Sequence, residues 1–131
     1  IDYMRQSKFL NPAGQVRSIS LAEIGYTSYF GNENQEASVA YGYLKAASLP
    51  DVDAFMLFRF KDDAHEMESK LNLGLTNLDG SHKPAYDIYK QLGTGSEGAA
   101  KARASEIIGM DIDQMIRDNV VWTRGGDGVV Q

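Results

Sequence analysis

Glu23 ends the stretch Val16-Arg17-Ser18-Ile19-Ser20-Leu21-Ala22-Glu23, in which Ile19, Leu21 and Glu23 alternate with Ser18, Ser20 and Ala22. Period-two alternation predicts a short strand over 16–23 that closes on a carboxylate. In parallel α/β folds, reactive groups collect where strands end and loops converge, so Glu23 reads either as a site residue or as a solvated acid at a strand end. Arg59 interrupts a second run, Ala54-Phe55-Met56-Leu57-Phe58-Arg59-Phe60, that is otherwise apolar on both faces. A guanidinium is costly to bury unpaired, so Arg59 is expected to meet a carboxylate, Glu23 among the candidates, or to carry its head out to water. Asp62 and Asp63 follow at once. They could ligate a metal, but no His-rich spacing supports one, and paired loop acids are ordinarily just solvated.

The elements around these residues follow from period and punctuation. Asn32-Glu33-Asn34-Gln35 predicts a capped helix start, and Ala37, Ala40, Tyr41, Leu44 and Ser48 continue it over 33–49 until Pro50. The apolar run predicts a covered strand over 53–60. Strand, helix, strand makes one right-handed crossover, which predicts parallel neighbours with Glu23 and Arg59 at the same end of the sheet. Residues 61–82 are a long connection of the kind that tends to carry function. Pro84 opens a helix over 84–92 with the stripe Ala85, Ile88, Tyr89 and Leu92, ended by Gly93. The N-terminal residues predict a helix end and then a turn at Asn11-Pro12-Ala13-Gly14. These boundaries divide the chain into 1–92, a linker over 93–98, and a tail over 99–131 with short helices at 99–108 and 111–117 and a frayed end at Gly125-Gly126-Asp127-Gly128.

Composition narrows the partners. The 131 residues carry thirteen Lys and Arg against eighteen Asp and Glu, a formal charge of −5, with no basic stripe to neutralise phosphates. Nucleic acid is therefore not an expected partner. No apolar run approaches the roughly 20 residues of a membrane span. The absence of cysteine removes disulfides, thiolate catalysis and Cys-ligated zinc without fixing the compartment. No cofactor or metal is expected.

The segment Ser20-Leu21-Ala22-Glu23-Ile24-Gly25-Tyr26 resembles the end of the seventh strand in retaining (β/α)8-barrel glycoside hydrolases of clan A, where a Glu followed closely by Gly is the nucleophile. Gly74-Leu75, Asp79-Gly80 and Lys83-Pro84-Ala85-Tyr86-Asp87-Ile88-Tyr89 resemble, in order and spacing, the stretch that follows the eighth strand and opens the last helix. Residues 1–92 look most like the final portion of a bacterial family of unknown function related to that clan.

The resemblance implies an α/β fold, the C-terminal portion of a TIM barrel with strands 7 and 8, their helices and a short helical tail. Such a piece would not be a complete enzyme by itself, and a first residue Ile1 fits an excised or processed piece. The implied reaction is retaining hydrolysis of O-glycosidic bonds with Glu23 as nucleophile. The acid/base would lie upstream of this chain, since the reaction needs a second carboxyl group. A non-catalytic carbohydrate-binding or scaffold relative is the alternative. The expected partners are a carbohydrate and either the rest of the barrel or a second copy of the chain; localisation stays open, with the resemblance favouring a secreted or periplasmic setting. Tyr26, Tyr29 and Phe30, directly after Glu23, could stack on sugar rings, and Arg59, Asp62 and His65 could hydrogen-bond hydroxyls. His82 could do the same or sit on the surface. Related barrels often carry His or Trp where this chain has Phe58 and Phe60. Tyr41, Tyr43, Tyr86 and Tyr89 read as packing residues on helices, and Trp122 as the docking residue of the tail.

Overall fold

A computed structural model describes residues 3, 6, 9–122, 129 and 130, with Trp122, Val129 and Val130 described by their backbone alone. Ile1 and Met4 of the expected N-terminal helix, the glycines near 125–128 and the docking of the Trp122 side chain lie outside the described residues. The elements run β1 (Ile19–Ile24), α1 (Asn32–Ala47), β2 (Val52–Leu57), α2 (Ala64–Glu68), α3 (Pro84–Gln91), α4 (Glu97–Ile108), α5 (Ile112–Arg117), β3 (Val121–Trp122) and β4 (Val129–Val130).

The crossover is as expected: β1 and β2 are parallel neighbours, joined through α1. Their ladder is irregular twice. From Ile19↔Val52 to Ser20↔Ala54 the extra residue is on β2, at Asp53. From Leu21↔Phe55 to Ile24↔Leu57 it is on β1, within Ala22-Glu23. Each bulge offsets the other, so the strands end in step and the amide of Phe58 donates to the carbonyl of Ile24 at 2.9 Å. Glu23 and Arg59 thus lie at one end of the sheet.

The core is helical. Val39, Ala40 and Leu44 of α1 meet Ala85 and Ile88 of α3, Ala100 and Ala104 of α4 and Ile112 of α5 in one buried cluster. Alanine at the contacts lets the helix axes approach closely, and each fully buried Val or Ile contributes about 1.5–3 kcal/mol. The tail helices α4 and α5 are therefore part of the same core as residues 32–92. Arg103 of α4 reinforces this, pairing with Glu36 of α1 at 3.1 Å and with Glu33 at 3.2 Å.

The barrel expectation is overturned here. Among the described residues the parallel sheet has two strands, in the order β1-β2, and no residue of either strand belongs to the buried core. Strands 7 and 8 of a closed barrel would face a packed interior, and Met56 of β2 is instead 50% exposed. Two strands cannot curve round on themselves to enclose side chains; closure takes about eight. What remains of the expectation is the coarser α/β class. Phe55, Leu57 and Ile19 are partly covered, Phe55 by the edge-to-face ring of Tyr43 on α1 at 6.0 Å.

One local expectation changes as well, and one holds. The start of α1 is not a capping box: Gly31 occupies the cap position at φ 121°, without a side-chain cap. Gln35 turns inward instead. The turn at Asn11 does form, with its side-chain oxygen accepting from the amides of Ala13 and Gln15.

Candidate functional site

Glu23 adopts φ 61°, the left-handed region that a side chain ordinarily avoids. It does so inside the β1 bulge, and the bulge changes where it points. The regular alternation puts Glu23 on the face of Ile19 and Leu21, but Ala22 and Glu23 are both exposed in succession. The carboxylate is thereby taken off the apolar face and brought to water at the strand end. Gly25 follows for a steric reason. A Cβ there would sit 2.9 Å from the carbonyl oxygen of Phe58 and 3.2 Å from Leu73, so only glycine lets the two strand ends close up. The Glu-x-Gly spacing is thus a packing requirement as well as a motif.

The loops beyond β1 and β2 are laced together. Thr27 Oγ1 donates to the carbonyl of Lys70 at 2.8 Å and accepts from the amides of Tyr29 and Asn72. The amide of Ser28 donates to the Asn72 carbonyl at 2.9 Å. Residues 73–76 run beside 59–62, with Leu75 and Thr76 amides donating to the carbonyls of Arg59 and Phe60. Gln35, almost wholly buried, donates both amide hydrogens across this junction, to Tyr26 O at 2.8 Å and Gly74 O at 3.0 Å. Its Oε1 and the Oδ1 of Asn72 are left buried without a hydrogen-bond partner among the described residues, at a cost of about 1–3 kcal/mol each.

Beneath the loops lies a residue pair that the sequence did not disclose. Lys83 Nζ sits 2.8 Å from Asp62, with both side chains essentially sealed from solvent. It also donates to Ser28 Oγ at 3.0 Å and to the Asn72 carbonyl at 3.3 Å, so all three ammonium hydrogens are used. Asp62 Oδ1 accepts in addition from the amide of Gly74 at 2.8 Å. Only glycine fits at 74, where a Cβ would overlap Asp62 N, Lys61 C and Thr76 O. The visible signal was Lys83 before Pro84, which predicts an extended residue but not a buried one.

The other expected site residues separate into two groups. Arg59 pairs not with Glu23 but with Glu66 at 3.0 Å and Asp63 at 3.5 Å, and lies over the ring of Phe58. Asp63 also caps α2, accepting from the amides of His65 and Glu66. The Glu66 amide above all holds its carboxyl below the usual carboxylate range, with smaller help from the His65 amide and Arg59, against partial desolvation. Asp62 is committed to Lys83. His65 is exposed, 3.6 Å from Glu68, and His82 stacks on Tyr86 at 3.6 Å. Among the described residues no cluster of His, Asp and Glu could hold a metal ion.

Aromatic rings crowd the same end of the sheet. Tyr29 and Phe30 meet edge to face at 4.9 Å, each about half exposed at 48% and 47%. Lys70 lies over the Tyr29 ring at 5.3 Å. Phe60, 64% exposed, meets Tyr86 edge-on at 6.2 Å. Tyr26 differs: its hydroxyl is pressed against Gly42 of α1, and burial, with a smaller contribution from Tyr41, raises its phenol above the ordinary value.

The family of unknown function DUF5722 matches residues 1–115. The chain belongs to DUF5722. No curated protein and no solved structure matches it. The DUF5722 region takes in β1, β2, the laced loops and most of the helical core, and it includes every site residue discussed above.

Proposed function

We propose that the strand-end face of this DUF5722 chain handles carbohydrate, with Glu23 as the carboxylate that attacks an O-glycosidic bond by a retaining mechanism. The observation that carries the reading is the left-handed Glu23 within the β1 bulge. A strained non-glycine residue costs about 1–3 kcal/mol and persists where surrounding structure forces it, a pattern concentrated at functional sites. Here the strain presents a carboxylate to solvent at the strand end, and the loop that leaves that end carries the exposed rings of Tyr29 and Phe30, whose faces suit the C–H surface of a sugar.

In the reaction, a Glu23 oxygen attacks the anomeric carbon as the bond to the leaving oxygen breaks, and a carboxylic acid gives that oxygen its proton. Water then attacks the glycosyl ester, the same acid group now taking the proton, and Glu23 is released. The resemblance to clan A glycoside hydrolases at Glu23-Ile24-Gly25 and Lys83-Pro84-Ala85-Tyr86 supports the assignment. Asp62, Asp63 and Glu66 are committed to Lys83, Arg59 and the α2 cap, so another segment of the protein would supply the acid.

That commitment also favours a second reading, a carbohydrate-binding face without chemistry. Trapping separates the two. The protein carrying this chain would be incubated with a panel of 2-deoxy-2-fluoro glycosides, whose ester turns over slowly, and digested for mass spectrometry. A glycosyl adduct on the Glu23 peptide is expected; saturable sugar binding without an adduct would leave only the binding reading.

A further inference from the structure

A pocket of about 300 Å3 opens between the end of β1, the first turns of α1 and the 71–73 segment. Tyr26, Leu71 and Leu73 give it apolar walls, and Thr27, Asn34 and Ser38 give it polar ones. Among the described residues no charged side chain lines it. Its size is at the lower end of the roughly 300–1,000 Å3 of small-molecule sites, and apolar walls with a few polar groups are their usual composition. Gly25, two residues after Glu23 in the chain, also lines the pocket.

The walls are fixed before any ligand arrives. Thr27 ties the β1–α1 loop to Lys70 and Asn72, Asn34 Nδ2 holds the carbonyl of Phe30 at 2.7 Å, and Gln35 holds that of Tyr26. Binding to such a pocket orders little more of the protein, so weak contacts suffice. The ligand chemistry follows from the lining. A charged group would be desolvated there without a counter-charge, whereas a neutral ring with an apolar C–H face and peripheral hydroxyls would meet Leu71 and Leu73 on one side and the Ser38 hydroxyl and Asn34 amide on the other.

We infer that this pocket is a subsite for one neutral pyranose unit, at the end of the strand that carries Glu23. The inference rests on the carbohydrate reading above and extends it to a defined subsite, though it does not require Glu23 to be catalytic.

The test is an amide NMR titration of the full chain with methyl β-glucopyranoside, methyl β-xylopyranoside and methyl α-mannopyranoside, with glucuronate and cyclohexanol as controls. At least one neutral pyranoside should shift the amides of Gly25, Thr27, Ser38 and Leu73 saturably, with a dissociation constant in the millimolar range. Ser38→Phe, which fills the pocket from α1, should weaken that binding at least tenfold. Leu71→Ser, at an exposed position, should weaken it with the fold intact by thermal unfolding. Equal response to cyclohexanol, or tighter binding of glucuronate, would overturn the inference. So would saturable shifts confined to Tyr29 and Phe30, an outcome that leaves the carbohydrate reading standing. Pocket shifts together with an unlabelled Glu23 peptide would uphold the subsite and remove the catalytic assignment.

Discussion

Lys83, the residue before α3, and Asp62, five residues beyond β2, form an ion pair at 2.8 Å with side chains only 3% and 2% exposed. Desolvating both charges offsets much of their attraction, so the pair is weak as a source of net stability. Its effect is on position. Through Ser28 Oγ and the Asn72 carbonyl, Lys83 fixes the loop that follows Glu23 against the segment that follows Arg59.

Removing one partner should therefore cost far more than removing both. Lys83→Met leaves Asp62 buried with the Gly74 amide as its remaining donor and should destabilise the chain by about 3–5 kcal/mol. Lys83→Met combined with Asp62→Asn should recover a substantial part of that loss. Urea unfolding of the two variants decides it, and a double variant less stable than the single one would contradict the pair's role.

Glycine substitutions should separate close approach from open helix. Gly74→Ala places a Cβ onto backbone atoms of Lys61, Asp62 and Thr76, so the 59–62 and 73–76 segments must part. A loss of about 1–3 kcal/mol is expected, as for other overpacked sites. Gly98→Ala, in α4 with nothing within 4 Å of the new Cβ, should stabilise by up to about 1 kcal/mol. Thermal unfolding of both variants gives the comparison.

Asp63 should make α2 sensitive to acid. Its folded pKa lies below that of the unfolded chain, chiefly because the Glu66 amide donates to it. The stabilisation is therefore fully present above the unfolded carboxylate value of about 3.9 and is lost as pH falls below this and through the folded value. Asp63→Asn keeps a capping oxygen but cannot titrate. Protection of the amides of residues 64–68, taken relative to intrinsic exchange at each pH, should fall on acidification in the native chain and stay flatter in the variant; parallel curves would remove Asp63 as the cause.

Glu23→Gly should raise stability while abolishing chemistry. Relieving φ 61° returns about 1 kcal/mol, since only glycine adopts that region without penalty. Glu23→Gln, which preserves shape, should in turn lower glycoside turnover of the protein carrying this chain by several orders of magnitude while sugar binding survives. Turnover within about threefold of the unaltered protein would sink the nucleophile assignment.

The sequence by itself determined the local elements. Alternation gave β1, the apolar run gave β2, the three-and-four spacing of Ala37, Ala40 and Leu44 gave α1, and Pro84 with Ile88 gave α3; connectivity then made the strands parallel. Each of these is a short-range property, written in neighbouring residues and read through helix or strand period. Only the tertiary structure decided the rest. The bulge that turns Glu23 outward depends on pairing with β2, which an alternation pattern cannot count. Arg59 found Glu66 and Asp63 because α2 folds back within the long loop, a path that composition does not specify. Lys83 is buried because Asp62, Ser28 and Asn72 converge on it from three separate segments, and a lysine in isolation reads as a surface residue. The motifs at Glu23 and Lys83 suggested a barrel, but a motif fixes a local backbone shape. The number of strands that close around a core is set by long-range pairing, and here two strands lie beside a core made of helices.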